Sequence, residues 1–157
     1  MKEQFLKLKK FLDDNNTEYK VMEHEPVYTS EEAAKVRGVE LKSGVKALVL
    51  KTNEDAYLLA LVSADKKIDL KLLAGIIGTK KLSLASPDKV LEITGCEIGS
   101  VHPFGNVHNL TTYMDPGISG NEMVDFNAGM HTISIEMKSK DMIKLIKPKI
   151  VKLSRNS

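Results

Sequence analysis

The chain has 157 residues, enough for one domain that buries about two thirds of the surface its unfolded form exposes, with no need of a disulfide or metal. Lys and Arg number 23 against 21 for Asp and Glu, a net charge of +2; this excludes a bulk nucleic-acid packager but leaves room for a local basic patch. Ten glycines and five prolines exclude collagen-like and low-complexity chains, and Cys96, the only cysteine, excludes an intramolecular disulfide and fits a reducing compartment. No apolar run approaches the ~18 residues that span a bilayer, and Met1-Lys2-Glu3-Gln4-Phe5 lacks the apolar stretch of a signal peptide, so a cytoplasmic protein is expected. The charge is uneven: Lys138 to Ser157 carries a surplus of +6, which leaves the rest of the chain at −4.

Phe5, Leu8, Phe11 and Leu12 recur at helical spacing and predict an amphipathic first helix ending near Asn15-Asn16. Thr17 to Glu23 alternates as a short strand. Ser30 is placed to cap a helix over Glu31 to Val36 that stops at Gly38. Val45 to Thr52 and Ala56 to Ala64 predict two strong strands joined by a hairpin loop at Asn53-Glu54-Asp55. Both are apolar on both faces, so their sheet is expected to be covered on both sides.

Asp69 caps a helix ending at Gly78, and Ser86-Pro87 opens another that Gly95 ends. Loop follows to about Asn109. Leu110 to Met114 and Met123 to Phe126 are read as short strands around the turn Asp115-Pro116-Gly117, and His131 to Met137 as a further strand. Ser139 is placed to cap a last helix, Lys140 to Ile146, before Pro148. Strands interleaved with short helices predict one mixed α/β (α+β) domain over 1–157, with a basic C-terminal tail at 147–157.

None of the widespread catalytic motifs occurs: no GxSxG, HExxH, CxxC or P-loop. What remains are polar residues in unusual places. Lys46 opens a two-sided apolar strand, where it either snorkels to the rim or points into a pocket. His131 leads the apolar face of Ile133, Ile135 and Met137, as a core residue or as a pocket mouth. The loop Gly99-Ser100-Val101-His102-Pro103-Phe104-Gly105 is either a plain connector or a carbonyl-binding segment, since glycine lets a backbone aim its N–H groups at a ligand. His102, His108 and His131 with Asp115 lack a compact metal-ligand spacing, so neither metal nor cofactor is expected. Cys96 has no His or cation beside it in sequence and is read as packing. Lys144, Lys147, Lys149 and Lys152 are candidate contacts for RNA phosphates, the alternative being a solvated helix face and a frayed end.

Taken together, three segments resemble the YbaK-type aminoacyl-tRNA editing domain, over about Phe5 to Ile146. They are the strand Gly44 to Lys51 with its lysine, the GxxxP loop Gly99 to Pro103 followed by Phe104-Gly105, and Phe126 to His131 with Ser134 to Met137. Tyr113-Met114-Asp115 is similar to the family's strand ending in Asp. The resemblance implies a compact domain with a mixed, partly closed sheet and a substrate cleft. It implies hydrolysis of the ester between a wrong amino acid and the 3′ end of a tRNA, with tRNA(Pro) carrying a small amino acid as the expected substrate. An aminoacyl-tRNA synthetase is an optional partner, and neither DNA nor membrane is expected.

The roles that the resemblance implies fall on Lys46, beside the ester and terminal adenosine, and on Gly99 to Pro103, positioning the carbonyl through backbone groups. Ser100, Val101, His102 at the rim, Pro103, Phe104, Gly105, Asn127, Gly129 and His131 would bind substrate. Water attacking the ester directly needs no protein nucleophile, and the family enlists the tRNA's own 2′-OH. A non-catalytic tRNA-end or synthetase-binding module on the same fold is the alternative, and a metal hydrolase using His102, His108 and His131 a more distant one.

Overall fold

The computed structural model describes residues 2–156; Met1 and Ser157, the latter within the expected basic tail, lie outside them. In chain order come α1 (Glu3–Asp14), β1 (Lys20–Glu23), α2 (Ser30–Arg37), β2 (Val45–Thr52), β3 (Tyr57–Ser63), β4 (Lys66–Ile68), α3 (Leu70–Ile77), β5 (Leu82–Leu84), α4 (Pro87–Thr94), β6 (Thr112–Met114), β7 (Met123–Met130), β8 (Ile133–Lys138), α5 (Ser139–Ile146), β9 (Lys149–Ile150) and β10 (Ser154–Asn156). The expected helix stops hold, with Gly38, Gly78 and Gly95 closing α2, α3 and α4.

Two cap assignments shift. Thr29, not Ser30, caps α2, through a reciprocal box in which its hydroxyl accepts from Glu32 N and the Glu32 carboxylate accepts from Thr29 N. Ser139 is the first residue of α5, and its hydroxyl donates to the Asn121 carbonyl, tying the helix start to the loop before β7.

Strands β5-β2-β3-β6-β9 form a mixed sheet, antiparallel around β2 and parallel from β3 to β9. A second sheet has the order β1-β8-β7, and β4 pairs with β10 as a two-stranded ribbon. Period two in β2 and β3 sends alternate side chains to opposite faces. Val45, Val49, Leu59 and Leu61 enter the larger core with α1, α5 and the second sheet, while Leu50, Leu58, Ala60 and Val62 pack with Leu73 of α3 and with Leu153. The sheet is therefore covered on both sides, as its unbroken apolar strands require.

The last residues are not a frayed end. Residues 147–156 run as β9 along β6, bury Leu153, and return as β10 along β4. His131 also differs from its expected place. With Thr132 it forms the turn between β7 and β8, because Met130 pairs with Ile133 and the strand begins only there.

The loop from Gly95 to Leu110 buries two histidines. His102 is fully buried in the core rather than at a rim; its Nδ1 accepts from Phe104 N at 3.2 Å. His108 stacks on it at 4.0 Å between ring centroids and bonds the His102 carbonyl through Nε2 at 3.2 Å. Burial holds both rings neutral, His102 well below the usual imidazole range and further lowered by His108, and His108 at about 4. A histidine depressed from 6.5 to about 4 makes the unfolded chain the better proton binder in that window, so stability falls as pH drops through it. His108 alone should remove about 3 kcal/mol by pH 4. Urea unfolding between pH 7 and pH 4 checks this: the wild type should lose stability more steeply than His108→Gln, and parallel curves would refute it.

Candidate active site

The site begins along the part of β2 that β5 leaves unpaired. Strand β5 pairs with β2 only at Leu50 to Thr52, and at the other end Gly44 forms a single parallel bridge to Asp125 of β7. Between them no strand covers Val45 to Leu48 on that edge among the described residues. The gap is a cleft of about 150 Å³. Val45, Lys46, Ala47 and Leu48 form one wall, Val27 to Arg37 another, and Gly99, Val101, Asp125 and Asn127 the rest.

Lys46 lies half-buried in this cleft, with Nζ donating to the Lys66 carbonyl at 2.7 Å. Burial lowers its ammonium from the usual lysine range; Glu31 and Asp65 oppose the shift, and Lys67 adds to it. Gly99 stands opposite with φ +86°, and a Cβ there would meet His131 Cε1 at 3.4 Å, so this position combines a left-handed backbone with close approach to a ring. Its carbonyl accepts from Asn127 Nδ2 at 2.6 Å, and the Ser100 carbonyl accepts from Gly129 N at 3.1 Å. These two bonds strap the GxxxP loop to β7. The Gly99 and Val101 N–H groups donate to no protein acceptor among the described residues, and both residues face the cleft.

His131 sits at the rim. Its Nδ1 lies 3.1 Å from the Val27 carbonyl, which can only accept, so Nδ1 carries the proton there. Its ring rests against Tyr28 at 4.7 Å, and Tyr28 is itself 72% exposed at the cleft mouth.

The expected site residues divide into two groups. Lys46, Gly99, Val101 and Asn127 line one cavity, with His131 beside it. Ser100, His102, Pro103 and Phe104 are buried behind the loop, where the Ser100 hydroxyl donates to the Glu97 carbonyl and Phe104 packs edge-on against Phe11 and Phe126. Gly105 is packed against Thr112 and Leu110. Gly129 faces α1, where a Cβ would meet Gln4 Cβ at 3.2 Å, so it seats that helix rather than the cleft. Lys144 on α5, Lys147 just after it, Lys149 on β9 and Lys152 between β9 and β10 are all exposed. Cys96 is buried and burial raises its thiol, as a packing residue. Asp115 accepts from Leu153 N and Gly117 N, and no three His, Cys, Asp or Glu side chains gather as a metal-ligand set among the described residues.

Beneath the cleft lies a group that the sequence does not single out. The Arg37 guanidinium, with its side chain 5% exposed, donates to Asp125 Oδ2, Asn127 Oδ1 and Ser134 Oγ at 2.9, 2.9 and 2.8 Å. Ser43 Oγ donates to the other Asp125 oxygen at 2.5 Å, and His24 Nε2 lies 2.7 Å from Ser134 Oγ. Burial lowers the Arg37 pKa while Asp125 raises it. The signal was available: Asp125 and Asn127 share one face of a strand whose other face is Val124, Phe126 and Ala128, and a carboxylate so placed needs a cation.

The family model for the aminoacyl-tRNA editing domain matches residues 24–145. A protein named multifunctional Ser/Thr-tRNA deacylase ProXp-y, from Escherichia coli (strain K12), is 35% identical over 150 residues, spanning 93% of this chain and 90% of that one. Prolyl-tRNA editing protein ProX of Acetoanaerobium sticklandii is 31% identical over 141 residues, 87% of this chain and 86% of its own. Among solved structures, a candidate trans-editing enzyme for prolyl tRNA synthetase superposes with a TM-score of 0.86 at 27% identity, covering 99% of each chain.

Removing Arg37 leaves Asp125 buried without its cation, which costs about 3–5 kcal/mol. Arg37→Met should therefore lose that much in urea unfolding, and Arg37→Met with Asp125→Asn should recover part of it, because the stranded charge is gone. Equal loss in the single and double variants would show that the ion pair is not what the fold depends on.

Proposed function

The chain belongs to the aminoacyl-tRNA editing domain family, and on that premise we propose that its cleft hydrolyses the ester of a mischarged aminoacyl-tRNA, acting in trans. The observation that carries the reading is the juxtaposition across one small cavity of the Lys46 ammonium and two undonated backbone N–H groups, those of Gly99 and Val101.

An ester carbonyl attacked by water gathers negative charge on its oxygen. Fixed donors aimed at that oxygen stabilise the transition state, and loss of one typically costs ~10²–10³ in rate. In this reading Gly99 and Val101 N–H hold the oxyanion and Lys46 anchors the ester end of the substrate. The water oxygen bonds to the carbonyl carbon, the bond from that carbon to the ribose oxygen breaks, and the ribose oxygen takes a proton. Free amino acid and uncharged tRNA leave. The amino-acid side chain meets Val45, Ala47, Ala33 and Ala34, with the Thr29 and Ser30 hydroxyls nearby, a lining suited to a small residue. Arg37 acts through Asn127 and Asp125 as a positioning residue.

We assign tRNA(Pro) carrying a small wrong amino acid as the substrate and the cytoplasm as the compartment; relatives that are proline–tRNA ligases, such as that of Thermosipho melanesiensis at 33% identity over 106 residues, support a synthetase as partner. The exposed Lys144, Lys147, Lys149 and Lys152 are proposed contacts for tRNA phosphates.

Lys46→Ala should slow single-turnover deacylation of a mischarged tRNA(Pro) by about 10² or more while its urea midpoint stays at the wild-type value. Unchanged turnover would remove Lys46 from the reaction. A panel of tRNAs charged with serine, threonine, alanine or cysteine identifies the amino acid cleared; binding with no hydrolysis of any of them would favour a tRNA-end binding module. Neutralising the four lysines to glutamine should raise KM and flatten its salt dependence while kcat holds, and an unchanged KM would return them to a solvated surface.

A further inference from the structure

The β4–β10 ribbon sets cations against one another at the edge of the cleft. In its antiparallel register Lys67 lies directly opposite Arg155, and both are exposed. Like charges paired across two strands destabilise a ribbon, yet neither makes an ion pair among the described residues. Asp69 accepts from Leu72 N as the cap of α3. Lys66, on the other face, donates to Asn156 Oδ1 at 2.7 Å and so clamps the ribbon shut.

This ribbon is attached to the site. Ala64 lines the cleft and its N–H donates to the Gly44 carbonyl, so β4 starts two residues beyond the cleft wall, at Lys66; the Lys66 carbonyl is the acceptor for Lys46 Nζ. Three residues at about 3.3 Å each carry it some 10 Å from the cleft. A tRNA whose terminal ester is at Lys46 must lead its single-stranded 3′ end away over a neighbouring surface, with phosphates that seek paired cations. We propose that Lys67 and Arg155 hold backbone phosphates of that 3′ strand, making the β4–β10 ribbon the binding surface for the unpaired end of the substrate. The proposal rests on the deacylase reading for the direction of the strand.

Binding of uncharged tRNA, and of a labelled single-stranded RNA ending in CCA, is to be measured by anisotropy from 50 to 200 mM salt for the wild type and for Lys67→Gln/Arg155→Gln. Removing two phosphate contacts on a single strand should lower the slope of log affinity against log salt by about 1.4, so the wild type should lose about sevenfold more affinity than the variant over that fourfold range. Lys67→Arg/Arg155→Lys should keep the wild-type slope. Equal slopes and affinities for the wild type and the glutamine variant would overturn the proposal. Turnover of 3′-O-seryl adenosine, which has no phosphate, should match between the two proteins; a loss there as large as on tRNA would move the effect into the cleft and also overturn it. Failure of the wild type to hydrolyse any mischarged tRNA would defeat the deacylase reading instead, and would leave the salt slopes to decide the ribbon.

Discussion

One buried guanidinium holds the site together. Arg37 reaches three side chains from two strands of the second sheet, and through them it reaches further. Asp125, fixed between Arg37 and Ser43, is also the residue whose backbone bridges Gly44 at the mouth of β2. Asn127, oriented by Arg37 through its oxygen, spends its amide nitrogen on the Gly99 carbonyl and so sets the direction in which the loop's N–H groups point. The cation thus spaces the two sheets that form the cleft and orients the loop that closes it. Its planar fork suits this task, since five donors in fixed directions can satisfy several acceptors that one ammonium could not.

The rest of the architecture follows from a sheet that needs cover on both faces and cannot have it everywhere. Apolar side chains of β2 and β3 drive α1, α5 and the second sheet onto one side and α3 onto the other. Where neither β5 nor β7 continues along β2, backbone and side chains from Val45 to Leu48 are left facing a hollow. A small cavity with a few polar groups is what such an interruption produces, and Lys46, the one charged residue of that stretch, occupies it.

Much of this was readable in advance, for reasons that differ by element. Helices α3 and α4 are legible from their caps and glycine stops, α2 from its glycine stop, and β2 and β3 from their apolar runs, because these are local rules. Lys46, Gly99 and Asn127, far apart in sequence, line one cavity. What escaped was non-local. Arg37 falls just past the predicted end of a short helix, and what buries its side chain is a set of partners on β7 and β8 about ninety residues further along the chain. His102 and Gly129 lie within the recognised segments, yet one fills the core and the other seats α1, because a short motif does not say which way each residue turns. The strands β4, β5, β9 and β10 have two or three residues each, too few to show a period, and exist by virtue of partners far away in sequence.

Strand β10 comes from the end of the described chain, whereas β4 lies before its midpoint. Contacts of such separation form late, since a long loop must close before they stabilise anything. Until then β4 is an open edge following the most apolar strand of the protein, the kind of edge that recruits strands from other molecules. Lys66 and Lys67 are the residues that discourage such recruitment, because charged side chains on an edge repel a second copy of themselves. The adjacent lysines therefore have a task in the nascent chain as well as in the finished one: guarding an edge against self-association until β10 arrives to cover it.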